Sequence, residues 1–244
     1  MPSPAHSDIA PPREPLPRRL CNLDRLLHAM AARNLDGIVA TTPQNVCYLS
    51  GFNAIAHKSD EPRPYAVLLS RHAPEHPVMV VADYYLATFL VQPSWVEDLR
   101  PFRAVMMPLD LPAARTDIER FIPASGARTA WLERARQNYA FDMNTALRSA
   151  FKELKLDHGR VAFDDPGFGM RLGIDTVELA DGYDAFMFAR AVKTGTELRL
   201  LERATRLNEA AIRRAIAAWQ RGMTWRDLGH AYALAAVGRG GFVR

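Results

Sequence analysis

Apolar positions along the chain fall into two patterns, a helical one and a run of short continuous stretches. Leu23, Leu26, Leu27 and Met30 recur at helical spacing behind Asn22, whose side chain suits an N-cap, and Leu35-Asp36-Gly37 supplies the stop. Ile38-Val39-Ala40-Thr41 then reads as a short buried strand, ended by a turn at Thr42-Pro43-Gln44-Asn45. Tyr65 to Leu69 and Val78 to Val81 read as two more strands, and Pro74 and Pro77 between them mark the loop of a hairpin. The spacing predicts helices over 83–91, 111–121 and 139–154, with short strands at 97–102, 129–132 and 161–163. Alternation of this kind predicts an α/β layer domain, a sheet of five or six strands flanked by helices.

The pattern changes near residue 185. Thr194-Gly195-Thr196-Glu197 has capping-box spacing, and Leu201, Ala204, Leu207, Ala211, Ala215 and Ala218 follow as one apolar stripe. Gly222 is expected to end that helix, and Thr224-Trp225-Arg226-Asp227 to start another that stops at Gly238. Two helices cannot enclose a core alone, so they are either an appendage or the opening of a second domain. Their apolar faces, Trp219 and Trp225 included, are expected to be left uncovered, which favours fraying or association through that patch. At the other end, Pro2, Pro4, Pro11, Pro12, Pro15 and Pro17 exclude a regular helix or central strand, so residues 1–20 read as a disordered leader.

Composition narrows the class. With 48% hydrophobic and 24% charged residues among 244, the chain is too apolar for wholesale disorder and can bury a core. No stretch approaches the ~20 apolar residues of a membrane span. Cys21 and Cys47 cannot make a disulfide scaffold or a four-cysteine zinc site, and the N-terminus lacks the apolar core of a signal peptide. A reducing cytoplasm is therefore the expected setting. The net charge of +4 divides unevenly: residues 190–244 hold 11 Lys/Arg against 4 Asp/Glu, leaving the rest mildly acidic. These arginines lack a long basic run and interleaved aromatics, so they read as a solvated helix face, and no nucleic-acid partner is expected.

Candidate chemistry is sparse. HExxH, GxSxG, a Walker loop and a CxxC pair are all missing from the sequence. Gly167, Gly169 and Gly173 are spaced GxGxxxG behind Pro166, one residue longer than a dinucleotide fingerprint, and read as loop glycines. His72 and His76 have metal-ligand spacing for a helix, which Pro74 and Pro77 would break. Asp164-Asp165 ahead of Pro166 read as turn formers, and Asp83 as a helix N-cap. The densest polar cluster is His57, Lys58, Asp60, Glu61 and Arg63, in the loop between Gly51 and the strand at Tyr65. Binding and catalytic groups concentrate in such loops.

Two separated stretches carry a family resemblance. Residues 36–52, from Asp36-Gly37-Ile38 to Tyr48-Leu49-Ser50-Gly51-Phe52, resemble the "gldallv…p.Ni.YLsGf" segment of the creatinase/prolidase N-terminal domain. Arg190-Ala191-Val192-Lys193-Thr194-Gly195-Thr196-Glu197 resembles the "R..Ks..E" start of the pita-bread catalytic domain of the same M24 metallopeptidases. Gly222 to Leu228 is similar to that family's "G.te.el" step between its first two catalytic-domain helices.

The resemblance, over about residues 22–241, implies a mixed-sheet α/β domain at 21–185 and the start of a truncated, incomplete α+β catalytic domain at 186–244. It implies hydrolysis of a C–N bond, most simply beside proline, with small amidino substrates of the creatine type as the nearest variant. It further implies a homodimer in which this domain overhangs the neighbouring active site. By placement, the loop ending at Arg63 would approach substrate, with His57 and Arg63 as the candidate substrate-proximal residues. Family enzymes hold two divalent metals (Mn, Co or Zn) on two Asp, one His and two Glu. No motif of this chain matches those ligands, so no metal or cofactor is assigned to it, and the chain alone is expected to be inactive. Two rival readings remain: a non-enzymatic peptidase-like module for dimerisation or protein binding, and a nucleotide-binding α/β protein.

Overall fold

A computed structural model describes residues 19–53, 63–92, 94–104, 118–122 and 130–241. The proline-rich leader, with His57, Lys58, Asp60 and Glu61, lies outside these residues, as does most of the helix expected over 111–121. The chain divides into two compact units, one running Arg18–Val192 and the other starting at Lys193.

Among the described residues, the first unit is built on six strands: β1 (Gly37–Ala40), β2 (Tyr65–Ser70), β3 (Val78–Ala82), β4 (Asp98–Phe102), β5 (Arg160–Phe163) and β6 (Glu178–Asp181). They lie in the order β4-β3-β2-β1-β5-β6. β2 runs antiparallel to both its neighbours, with Ile38 opposite Leu69 and Val67 opposite Met79. The other pairs are parallel, so five strands point one way and the sheet is mixed. Every residue of β1, β2 and β3 is buried. This is why they read as continuous apolar runs: helices cover both faces, and alternation has no polar side to show.

Among the described residues, seven helices serve this unit: α1 (Leu23–Ala32), α2 (Pro43–Ser50), α3 (Leu86–Val91), α4 (Ala130–Gln137), α5 (Met143–Glu153), α6 (Pro166–Arg171) and α7 (Tyr183–Ala191). Asn22 caps α1 as expected, its side chain accepting from the Arg25 amide, and Leu23, Leu26, Ala29 and Met30 are buried. Asp142 caps α5 in the same way. The β2–β3 hairpin and the strands at 97–102 and 161–163 stand where the pattern placed them. Pro101 sits in β4, an edge strand, where a missing N–H is tolerated.

Five local readings are corrected. Residues 130–132 begin α4 and make no strand: Leu132 and Ala135, three apart, face Leu86 and Ile118 in a small second core. Pro43 occupies the first turn of α2 and so opens a helix, where its missing N–H costs nothing. Asp165 accepts from the Phe168 amide, which makes Pro166–Arg171 a short capped helix and not a glycine loop. Residues 83–91 split into a 3₁₀ turn (Asp83–Tyr85) and α3, and Asp83 caps neither; its carboxylate is buried and accepts from the Tyr139 hydroxyl at 2.6 Å. Of residues 111–121, Ile118–Phe121 form a 3₁₀ turn.

The second unit is a helical hairpin, α8 (Gly195–Ala217) and α9 (Trp225–Val237). Both carry complete capping boxes, Thr194 with Glu197 and Thr224 with Asp227. α8 ends before Gly222, which instead holds the left-handed turn at φ 95°. The expected stripe is used in part: Ala211 packs with Ala235, Ala236, Leu207 and Tyr232, whereas Leu201 stays 51% exposed. Trp219 and Trp225 are exposed. Among the described residues, no helix is long and apolar enough to cross a membrane.

Candidate functional site

Because only β2 is reversed, the carboxyl ends of β1 and β5 and the amino end of β2 meet at one edge of the sheet. The chain turns into a helix directly after each of those two parallel strands. Thr41 and Thr42 lead from β1 into α2, and Asp164 and Asp165 lead from β5 into α6. Arg63 lies two residues before β2, and so beside both turns.

Asp164 is the hub. Its Oδ1 accepts from the Thr41 amide at 2.8 Å and the Thr41 hydroxyl at 2.7 Å. Its Oδ2 accepts from the Thr42 amide at 2.9 Å, the Thr42 hydroxyl at 2.5 Å and Asn45 Nδ2 at 3.0 Å. The carboxylate thereby holds the turn that leads into α2, and its charge at that end of the helix is favoured by the helix dipole. Five donors converge on its two oxygens, a geometry for holding turns together.

Arg63 closes the next ring. Its Nη1 donates to Thr41 Oγ1 at 2.8 Å and its Nη2 to Asp165 Oδ2 at 2.5 Å, while its guanidinium carbon lies 5.5 Å from the Phe168 ring centroid. Its side chain keeps 21% exposure. On the other flank Arg190, at the end of α7, donates to Asn45 Oδ1 at 3.1 Å. Asn45 therefore links Asp164 to Arg190, and the two stretches that carry the family resemblance touch at this bond.

Of the substrate-proximal pair, Arg63 belongs to this network and His57 lies outside the described residues. The Asp164-Asp165 turn does more than reverse the chain: one carboxylate holds α2 and the other holds Arg63. Thr41, Thr42 and Arg190 were legible only as parts of the family resemblance and not as site residues, since Asp164 and Asn45, which place them here, lie more than a hundred positions away. His72 and His76 form no helical pair; His72 Nε2 sits 3.3 Å from Asp36 Oδ1. The Asp36 carboxyl is held below its ordinary value, first by the Arg160 amide at 3.0 Å and then by His72 and Arg71. Among the described residues, no cluster of His, Cys, Asp and Glu is placed to hold a metal.

A mixed sheet with one reversed strand, flanked by helices and tied at its edge by an Asp-Thr-Asn-Arg network, makes this unit a mixed-sheet α/β domain. Residues 22–165 match the model of the creatinase/prolidase N-terminal domain, and the chain belongs to that family. Its fold is similar to that of a prolidase from Pyrococcus furiosus, with a TM-score of 0.57 and 12% identity over 89% of this chain and 53% of that one. An Xaa-Pro dipeptidase from Bacillus anthracis gives 0.56 and 13% over 88% and 48%. A dipeptidase from Mycobacterium ulcerans gives 0.55 and 17% over 89% and 48%. The chain spans about half the length of these structures. No curated protein sequence matches it significantly.

Proposed function

We propose that the Arg18–Val192 unit is the non-catalytic N-terminal domain of a prolidase-like metallohydrolase, and that α8 and α9 open the catalytic domain. The observation that supports this most directly is the family match over residues 22–165, joined to a fold similar to prolidases and dipeptidases. The parent reaction is hydrolysis of a C–N bond beside proline, with creatine-like amidino compounds as the variant substrate class. The unit's role is to dimerise and to overhang the neighbouring active site, with the Arg63 edge turned toward substrate. Two divalent ions on two Asp, one His and two Glu would activate the attacking water in such an enzyme. The described residues offer no donor set that fits such a pair, so no hydrolytic step is assigned to them.

The purified chain, supplied with Mn, Co or Zn, is expected to leave Xaa-Pro dipeptides and creatine unhydrolysed. The polypeptide read in frame past codon 244 is expected to carry the five ligands in family order and to hydrolyse one of these substrates until a chelator is added. Chelator-sensitive turnover by the chain itself, or a reading frame without those ligands, would overturn the assignment.

A further inference from the structure

The Asp164 carboxylate stands in the middle of a row of hydrogen bonds that ends in an arginine on each side. On one side Arg63 Nη1 donates to Thr41 Oγ1 at 2.8 Å, and that hydroxyl donates onward to Asp164 Oδ1 at 2.7 Å. On the other side Arg190 Nη1 donates to Asn45 Oδ1 at 3.1 Å, and Asn45 Nδ2 donates onward to Asp164 Oδ2 at 3.0 Å. Every bond in the row points toward the carboxylate. A guanidinium has donors only, so the side chain that meets it must offer an acceptor. Thr41 and Asn45 do so because Asp164 takes up their own hydrogens.

The two relays differ in how they answer a change at Asp164. Thr41 uses one oxygen in both directions, so its lone pair stays available to Arg63 while Oδ1 remains an acceptor. An amide has an accepting end and a donating end, and it must turn over when the group it faces becomes a donor. We propose that Asp164 is a positioning residue for both arginines, and that its charge, read through the orientation of the Asn45 amide, holds Arg190 at the end of α7. With a neutral amide at position 164, the oxygen keeps the two Thr41 donors and the NH2 end faces Asn45 and Thr42. Asn45 then turns its oxygen to position 164 and its own NH2 to Arg190, where two donors meet. Arg63 keeps Thr41, and Arg190 loses Asn45. A general loosening of the corner would weaken both arginines alike. The bonds lie within the Arg18–Val192 unit, and the inference does not depend on the hydrolase reading.

Urea unfolding of the full chain, taken through double-mutant cycles, reads each relay separately. Asn45→Leu with Arg190→Met, and Thr41→Val with Arg63→Met, are each expected to show a coupling of about tenfold in the unfolding constant, the worth of a hydrogen bond to a charged group. In an Asp164→Asn background the first coupling is expected to vanish and the second to remain. Exchanging the two groups gives a further check. Asn45→Asp alone sets two carboxylates side by side and is expected to destabilise the chain. Added to Asp164→Asn, the same substitution returns an acceptor to Arg190 and is expected to stabilise it about tenfold, which keeps the test open if Asp164→Asn alone does not fold. A coupling between positions 45 and 190 that survives Asp164→Asn, or the loss of both couplings together, would overturn the proposal. So would an exchanged pair no more stable than Asp164→Asn.

Discussion

Asp164 accepts hydrogen bonds from five donors on three residues, all of them more than a hundred positions away in sequence. Asp164→Ala would strip the partner from two backbone amides, two hydroxyls and an amide side chain in a buried corner. Removing one member of a buried charged network costs about 3–5 kcal/mol, because the groups left behind stay desolvated. Urea unfolding of the variant is expected to show a loss in that range, and a loss below 1 kcal/mol, short of the penalty for even a single unsatisfied donor, would sink the hub assignment. Asp83 behaves differently. Burial pushes its carboxyl above the ordinary 3.8, against the opposing pull of the Tyr139 hydroxyl, the Ala104 and Tyr84 amides and Arg103. The folded chain therefore holds that proton to higher pH than the unfolded chain does. The stability it contributes is complete below 3.8 and is lost as pH rises through the folded value. Asp83→Asn cannot titrate, so the stability of the wild type relative to this variant should fall across that window and then level off. A difference constant with pH would show that the carboxyl titrates as it does unfolded. Neither carboxylate's role was readable from the chain, where Asp83 and Asp164 each sit at a strand end and satisfy simple turn rules. What separates them is burial and distant partners, which local spacing does not encode.

At the scale of elements, legibility followed composition. β1, β2 and β3 were visible because strands covered on both faces are uninterrupted apolar runs, and β4 and β5 as short segments between helical stretches. β6 (Glu178-Leu179-Ala180-Asp181) was not, since an edge strand with acidic ends shows neither a run nor a period. Trp131-Leu132 misled because a short apolar run has no period of its own, and the deciding partner, Ala135, came later. Pro43 and Pro166 misled in another way: each opens a helix, a position proline suits as well as a turn. Two glycines at element ends lead to contrasting expectations. Gly51 closes α2 at φ 77°, its amide donating to the Cys47 carbonyl at 2.8 Å, and an added Cβ would meet nothing within 4 Å. Gly51→Ala should cost about 1–2 kcal/mol through backbone conformation alone, and Gly51→Asn less, because asparagine tolerates the left-handed region. Gly182 has an ordinary φ of −96°, yet its Cβ would stand 3.0 Å from the Phe163 carbonyl carbon. There alanine and asparagine should both cost about 1–3 kcal/mol, since the obstacle is packing. Thermal melts of the four variants separate the cases: a rescue by asparagine is expected at 51 and not at 182.

At the scale of the whole molecule, the two units differ in how much core they own. The Arg18–Val192 unit encloses its sheet in a large cluster that extends from Cys21 to Ala189, beside the smaller one around Leu86 and Leu132. The hairpin holds Ala211, Ala235 and Ala236, with Leu207 and Tyr232 partly buried against them. Alanine buries little apolar area, and each large side chain left in water forgoes about 1.5–3 kcal/mol. Local opening of the hairpin should therefore be far less costly than opening of the sheet. Hydrogen exchange followed by mass spectrometry on dilute chain is expected to label α8 and α9 early, and β1, β2 and β3 last. Exchange in α8 as slow as in β1, β2 and β3 would show that the hairpin is as stable as the sheet unit.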